Sequence, residues 1–249
     1  MSEEQAQTCT LYTVSGEHSS FHLAFRPADY RFLALQSVLL SDKSTPKVAD
    51  WTKFHFSHSE SFTQPSSYCT IPEYLFDRSK ALEYLKLSGI DTDHSGSDTI
   101  TLLKCSMVYP TSVSDEGLRS SHASLLNYVA SKSQANATRL HLHLDVEKLN
   151  LFVLQNGSLK LANAFLFKSK EDILYHALSV CRQLSLDATA IETSYSGFLR
   201  PKTALHKLFH EHFRKAAPLS LPDSLRFDPC FATLPKHLYL DAFILPTCE

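Results

Sequence analysis

The stretch Arg139-Leu-His-Leu-His-Leu-Asp145-Val-Glu-Lys-Leu149-Asn-Leu-Phe-Val-Leu-Gln155-Asn156-Gly157-Ser158 decides the fold. Leu140, Leu142 and Leu144 alternate with Arg139, His141 and His143, the period-two pattern of a β-strand. A tight break at 145–148 follows, then a second strand through Gln155. Asn156-Gly157 is the strongest short hairpin signal, because both central residues of such a turn need positive φ. The return strand spans 158–167. On this reading the leucines face a core, and His141 and His143 form the polar face of a half-covered sheet.

Outward from the meander, Ser169 suits a helix N-cap, with Glu171 and Asp172 in the first turn at the positive end of the dipole. That helix runs through Ile173, Ala177, Cys181 and Leu184. A short strand over 190–195 leads to Ser196-Gly197. A last clear helix begins near Pro201 and covers Leu205 to Phe213, and 237–245 reads as a strand. The first half of the chain follows the same plan. Strands near Leu11, at Phe21–Phe25 and at Arg31–Gln36 fall on the second meander after a shift of about 129 residues, in pattern and not in residue identity. Between them and Ser131 the pattern predicts a loop over 41–50, strands at 51–56 and 68–71, and a helix from Tyr74 to Gly89. A long strand over 99–109 and a helix capped by Ser114 or Asp115 complete the first half. Three consecutive strands followed by helix and strand material, occurring twice, is the plan of an α/β actin-like, ribonuclease H-like fold. It predicts two similar lobes, 1–133 and 134–249, each with a mixed sheet flanked by helices.

Several short motifs add a resemblance that covers most of the chain. They are Asn163-Ala-Phe165, Lys168-Ser-Lys-Glu-Asp-Ile-Leu-Tyr175 and Ser194-Tyr-Ser-Gly197, with Ile71-Pro-Glu-Tyr-Leu-Phe-Asp77 and Ala81-Leu-Glu-Tyr-Leu85 in the first half. Together they resemble an uncharacterised bacterial family, a domain of unknown function with an actin-like ATPase fold. The resemblance implies that fold and assigns no activity.

Actin-like ATPases hold phosphates between two hairpins, one per lobe, where glycines let backbone amides approach oxygen atoms. The second hairpin here is Asp145-Val-Glu-Lys-Leu149, with Val146 and Glu147 in place of small residues. The first is Ser15-Gly16-Glu17-His18, with one glycine and again an acid. Gly197 alone stands where an adenosine-contacting turn carries paired glycines, and the whole chain has 6 glycines. The motifs G-x-x-x-x-G-K-[ST], G-x-G-x-x-G, G-x-S-x-G and H-E-x-x-H do not occur. A ribonuclease H site needs several carboxylates on adjacent strands for two metal ions, and Asp145 is one strand-end acid without matching partners. His206 and His210 stand at i,i+4 on a helix, a chelating spacing. His212 points elsewhere, so the pair reads as a solvated helix face. No residue is assigned a catalytic, cofactor-binding or metal-binding role, and no cofactor is expected.

The function these observations predict is a non-enzymatic binding or scaffold protein, partnered by another protein or by a second copy of itself. The competing expectation is an ATPase or kinase with atypical phosphate loops, in which Lys148 reaches a phosphate. Net charge is −2 without a basic cluster, so neither nucleic acid nor an anionic membrane is an expected partner. The polar, acidic N-terminus lacks the pattern of a secretory signal. The 6 scattered cysteines, Cys9, Cys69, Cys105, Cys181, Cys230 and Cys248, are expected as reduced thiols of a cytoplasmic protein.

Overall fold

The computed structural model describes residues 2–39, 51–112 and 117–247. A short helix α1 (Glu3–Ala6) precedes a meander of β1 (Thr10–Gly16), β2 (Ser19–Arg26) and β3 (Arg31–Leu39). Then come β4 (His58–Gln64), β5 (Cys69–Pro72), helix α2 (Ala81–Leu87), β6 (Ser95–Ile100), β7 (Cys105–Pro110) and β8 (Arg119–Ser120). Helix α3 (Ser121–Ser131) leads into the second meander, β9 (Thr138–Leu144), β10 (Lys148–Gln155) and β11 (Ser158–Leu166). The chain ends with α4 (Lys170–Gln183), β12 (Glu192–Gly197), α5 (Ala204–His212), β13 (Ala216–Pro218), β14 (Arg226–Phe227) and α6 (Leu240–Phe243). No helix among the described residues is long and apolar enough to cross a membrane.

Two mixed sheets repeat one strand order. In the first the order is β14-β3-β2-β1-β4-β8, and in the second β11-β10-β9-β12-β13. The meander strands pair antiparallel in both. The two strands beyond them add parallel, β4 and β8 in one sheet, β12 and β13 in the other. Even the irregularities match: the ladder shifts register between Ala24 and Phe25 in β2, and between Val153 and Leu154 in β10. These positions coincide under the same shift that superposes the meanders, so the duplication extends to a β-bulge.

Local chemistry accounts for the connections. Asn156 (φ 52°) and Gly157 (φ 71°) both take the left-handed conformation at the β10–β11 turn, as the sequence predicts. At the β2–β3 turn Asp29 binds Arg26 through two hydrogen bonds of 2.8 Å and Arg31 through one of 2.9 Å. Helix α4 starts with a capping box in which Ser169 accepts from Asp172 N–H and Asp172 accepts from Ser169 N–H. Gly197 has φ 76°, and a Cβ there would lie 2.1 Å from the Leu144 carbonyl oxygen. Only glycine allows β12 to end against β9 in this way.

Some elements differ from the sequence reading, each for a physical reason. Residues 51–56 do not form a strand: Trp51–Lys53 is a 3-10 turn, and Trp51 stacks on Phe56 at 6.0 Å. The alternation there is a ring cluster, and the strand is the polar segment β4, held by its parallel ladder to β1. The helix expected over 74–89 is confined to α2, preceded by 3-10 turns at Glu73–Leu75 and Arg78–Lys80. The apolar run 99–109 is broken by a 3-10 turn with Lys104 at φ 49°, so β6 and β7 form a hairpin. Together with β5 these make a third, 3-stranded sheet. Helix α3 begins at Ser121, with the Ser120 side chain accepting from Ala123 N–H. The expected caps Ser114 and Asp115, the loop 41–50 and Cys248 lie outside the described residues. The segment 237–245 is helical, because its apolar residues serve two cores: Leu240 and Ile244 face α3, and Ala242, Phe243 and Leu245 cover the first sheet.

Three main clusters carry the core. Leu140, Leu142, Leu144, Leu151 and Val153 pack under α4 and under Phe209 and Phe213 of the α5 region. On the opposite face of the same sheet, Phe152 and Leu154 meet Leu125, Leu126 and Val129 of α3, with Leu240 and Ile244. Tyr12, Val14, Phe21, Leu23, Phe32 and Phe62 of the first sheet are covered by Phe231, Phe243 and Leu245 from the C-terminal segment. Each such side chain contributes about 1.5–3 kcal/mol of burial.

Candidate functional site

The two β-hairpins expected to grip phosphate face each other across a narrow cleft. Its walls are Gly16 to Ser19 and Gln64 to Ser66 on one side, and Asp145 to Lys148 on the other. The hairpin tips are joined by crossed pairs. Lys148 Nζ donates to Glu17 Oε2 at 2.8 Å, and His18 Nε2 lies 3.3 Å from Glu147 Oε2. Lys148, the one side chain the sequence offers for a phosphate, is thereby committed to Glu17 and largely buried. The Glu17 carboxyl is held below its ordinary pKa by its hydrogen bond from Lys148. The space left is about 20 Å³, enough for about one water molecule.

Gly16, the glycine of the first hairpin, leaves room for a side chain rather than a ligand. A Cβ at Gly16 would lie 2.7 Å from Gln64 Oε1. Gln64 in turn accepts from Ser19 Oγ at 3.3 Å and donates through Nε2 to Asp241 Oδ2 at 2.7 Å. Gly197 packs on Leu144 and stands beside no second glycine.

Behind the cleft lies a buried polar network that the sequence reading missed. His141 and His143 are 0% and 1% exposed, so the polar face expected to meet solvent is covered by α3 and α6. The β9–β12 register aligns Arg139 with Glu192, His141 with Ser194 and His143 with Ser196. Arg139 pairs with Glu192. His141 Nδ1 is 2.9 Å from Ser194 Oγ and its Nε2 is 3.0 Å from Ser196 Oγ. Ser196 Oγ also meets His143 Nδ1 at 2.8 Å, and His143 Nε2 meets Asp145 Oδ1 at 3.0 Å. Asp145 Oδ2 accepts from Asn150 Nδ2 at 2.9 Å, and Tyr68 OH donates to Asn150 Oδ1 at 3.1 Å. Asp241 Oδ2 stands 3.9 Å from His143 Nε2.

Burial and charge divide these groups. Burial pushes the His141 pKa well below the ordinary imidazole value, helped by His143 and Arg139. Burial opposes a charge on His143 as well, but Asp145 and Asp241 beside it raise its pKa overall. For Asp145, burial works upward and the neighbouring His143 and His122 carry it well below the carboxylate range. Burial and the Asp145 charge push the Tyr68 phenol far up. His143 and Asp145 therefore form an ion pair inside the protein, with Ser196 and Asn150 orienting them.

His122, the second residue of α3, completes the group. Its Nε2 lies 3.3 Å from Asp145 Oδ2, off the hydrogen-bond direction, and neither ring nitrogen has a hydrogen-bond partner although the side chain is 1% exposed. His122, His143 and Asp145 each present a ligand atom, all within 4.8 Å of one another. No sequence spacing signals this arrangement, since α3, β9 and α6 are brought together only by the fold. His206 and His210, which the sequence singles out, lie 4.3 Å apart between ring centres with the Tyr195 ring edge-on to both, half-buried rather than solvated. No third donor joins them among the described residues. Cys9, Cys69, Cys105, Cys181 and Cys230 are free thiols.

Duplicated sheets of this order around a hairpin-lined cleft define the actin-like ATPase fold, and solved structures agree. A Bacteroides thetaiotaomicron protein with an actin-like ATPase fold and unknown function superposes with a TM-score of 0.70, covering 88% of this chain and 93% of that chain at 16% identity. A chain of the PilM–PilN type IV pilus biogenesis complex gives a TM-score of 0.57, covering 97% of both at 12% identity. At these identities the likeness shows the fold alone. The chain belongs to the DUF3822 family, proteins of unknown function, whose model matches residues 50–216. No curated protein sequence matches it.

Proposed function

We propose that this protein is a cytoplasmic protein-binding module that has kept the actin-like core and lost the nucleotide site. One observation carries the reading: the hairpins that would grip phosphates grip each other instead, through Lys148–Glu17 and His18–Glu147. A polyphosphate entering between the hairpin tips would have to break both pairs and would then meet the Glu17 and Glu147 carboxylates, whose charge repels it. The PilM–PilN complex supports the positive half of the reading, since by its name a chain of the same fold takes part in a protein assembly there. The division into lobes 1–133 and 134–249 belongs to this proposal. In it the C-terminal segment laces the lobes, because β14 pairs with β3 and Phe243 enters the first core.

A thermal-shift titration with Mg-ATP and Mg-ADP at millimolar concentration tests it. A ligand bound only by the native state raises stability by RT ln(1 + [L]/Kd), so micromolar affinity gives several degrees. The expected result is no shift. A saturable shift that disappears in Lys148→Ala would overturn the reading in favour of an ATPase or kinase with unusual loops.

A further inference from the structure

We propose that His122, His143 and Asp145, with Asp241 beside them, form a divalent metal site at the seam between the two sheets, suited best to Zn²⁺. The donors come from three separate elements. His122 stands on α3, His143 is the last residue but one of β9 with Asp145 directly after the strand, and Asp241 lies on α6. An ion held by them would tie the second sheet to the helices that cover it.

The cluster is compact enough to close on a metal: one ligand atom from each of His122, His143 and Asp145 lies within 4.8 Å of the others. His143 Nε2 is 3.0 Å from Asp145 Oδ1, and His122 Nε2 is 3.3 Å from Asp145 Oδ2. In a tetrahedral site with bonds of about 2.0–2.1 Å, neighbouring donors are about 3.3 Å apart. Asp241 Oδ2, at 3.9 Å from His143 Nε2, is close enough to supply the fourth donor after a small side-chain movement. Two imidazoles with carboxylate oxygens are the borderline donor set that zinc takes readily.

Around His143 the surroundings are those of a built site, while His122 Nδ1 has no hydrogen-bond partner. A ligating histidine has its other ring nitrogen fixed by a hydrogen-bonding partner. His143 Nδ1 has Ser196 Oγ at 2.8 Å, and that hydroxyl is itself placed by His141. Asn150 orients Asp145, and Gln64 orients Asp241. His143 is hydrogen-bonded to Asp145, whereas His122 meets the same carboxylate as an ion-pair contact at 3.3 Å with no hydrogen bond to either ring nitrogen. An imidazole 1% exposed with neither nitrogen hydrogen-bonded is costly to bury. A metal beside Asp145 would give Nε2 the partner it lacks. His122, His143 and Asp241 are almost wholly enclosed and Asp145 is 17% exposed at the edge of the cleft, so the site is nearer the closed, structural kind, and it stands independently of whether a nucleotide binds.

The experiment uses the full chain, stripped with a chelator and titrated with ZnCl₂ by calorimetry, with Co²⁺ as a spectroscopic stand-in. One equivalent should bind, the Co²⁺ form should show the visible bands of a tetrahedral centre, and Tm should rise on loading. His122→Gln and His143→Gln should each weaken binding by more than about a hundredfold, since even the partners that orient ligands carry roughly 10–100-fold. A His206→Ala/His210→Ala variant should bind as the parent does. Absence of saturable binding by the parent chain overturns the proposal whatever the variants do. So does zinc that is retained in folded His122→Gln, or lost when His206 and His210 are removed.

Discussion

Lys148 Nζ and Glu17 Oε2 stand 2.8 Å apart and join the tips of two hairpins from opposite halves of the chain. Glu17 is well exposed while Lys148 is mostly covered, so the pair works between the solvent and interior limits. A Glu17→Ala, Lys148→Ala double-mutant cycle is expected to give a coupling of about 0.5–1 kcal/mol, smaller at high salt. The groups around Glu17 are Lys148, which lowers its pKa, and His18, 3.8 Å away on its own hairpin and close to Glu147. A carboxyl with a lowered folded-state pKa contributes stability at neutral pH and loses it as pH falls. The coupling should therefore be intact at pH 7, begin to fall near the ordinary carboxyl value of about 4.3 and disappear only below the lowered folded-state value. A coupling that grows toward acid would show that the pair does not act as an ion pair.

Gly197→Ala is expected to be among the most damaging single changes. The residue has φ 76°, and the new methyl would fall 2.1 Å from the Leu144 carbonyl oxygen and 2.8 Å from two further backbone atoms. Backbone cannot swing aside as a side chain can, so β12 would have to separate from β9 beside His143. A loss above about 3 kcal/mol follows, from strain and broken ladder together, measurable by urea denaturation. A loss under about 0.5 kcal/mol would show that the β9–β12 junction is looser than its geometry.

Much of the fold can be read from local chemistry, and the candidate metal site cannot. Asn156-Gly157, the Ser169 capping box and the alternating leucines of β9 each depend on neighbours a few positions away, so their residue types reveal them. The role of His143 depends on α3 and α6 closing over it, contacts made across the whole second half of the chain. A strand read alone shows leucines on one side and histidines on the other, and solvent is the default for the polar side. The C-terminal segment misleads in the same way. Leu238, Leu240, Ala242 and Phe243 have the composition of a strand, yet a short helix lets Leu240 meet α3 while Ala242 and Phe243 cover the first sheet.

Thiol reactivity offers a direct check on burial. Cys105 and Cys181 are buried, and burial raises each pKa to about 11. At pH 8 only about one thiol in a thousand is then ionised, and the thiolate is the reactive form. Peptide mapping after iodoacetamide treatment should show exposed Cys230 modified clearly faster than either, although burial and Asp228 raise its own pKa as well. Equal labelling in the native protein would mean that the α4 core and the β7 sheet open readily in solution.

The lacing of the two halves is tested at Phe243. Its ring is fully buried, with centroids 4.9 Å from Phe32 of β3 and 5.0 Å from Phe227 of β14. Two residues earlier on the same short helix, Asp241 receives the Gln64 hydrogen bond. One side of α6 thus seals the first core while another residue reaches the polar network at the second sheet. Phe243→Ala leaves a cavity among rings held on three separate elements, which limits collapse, so a loss of about 3–5 kcal/mol is expected. Phe243→Leu, which keeps most of the volume, should lose less than half as much. If α6 is the lace, Phe243→Ala should also speed amide exchange in β1–β3 at denaturant concentrations where β9–β11 remains protected. Uniform loss of protection across both sheets would instead show that the halves unfold as one cooperative unit, with α6 belonging to both.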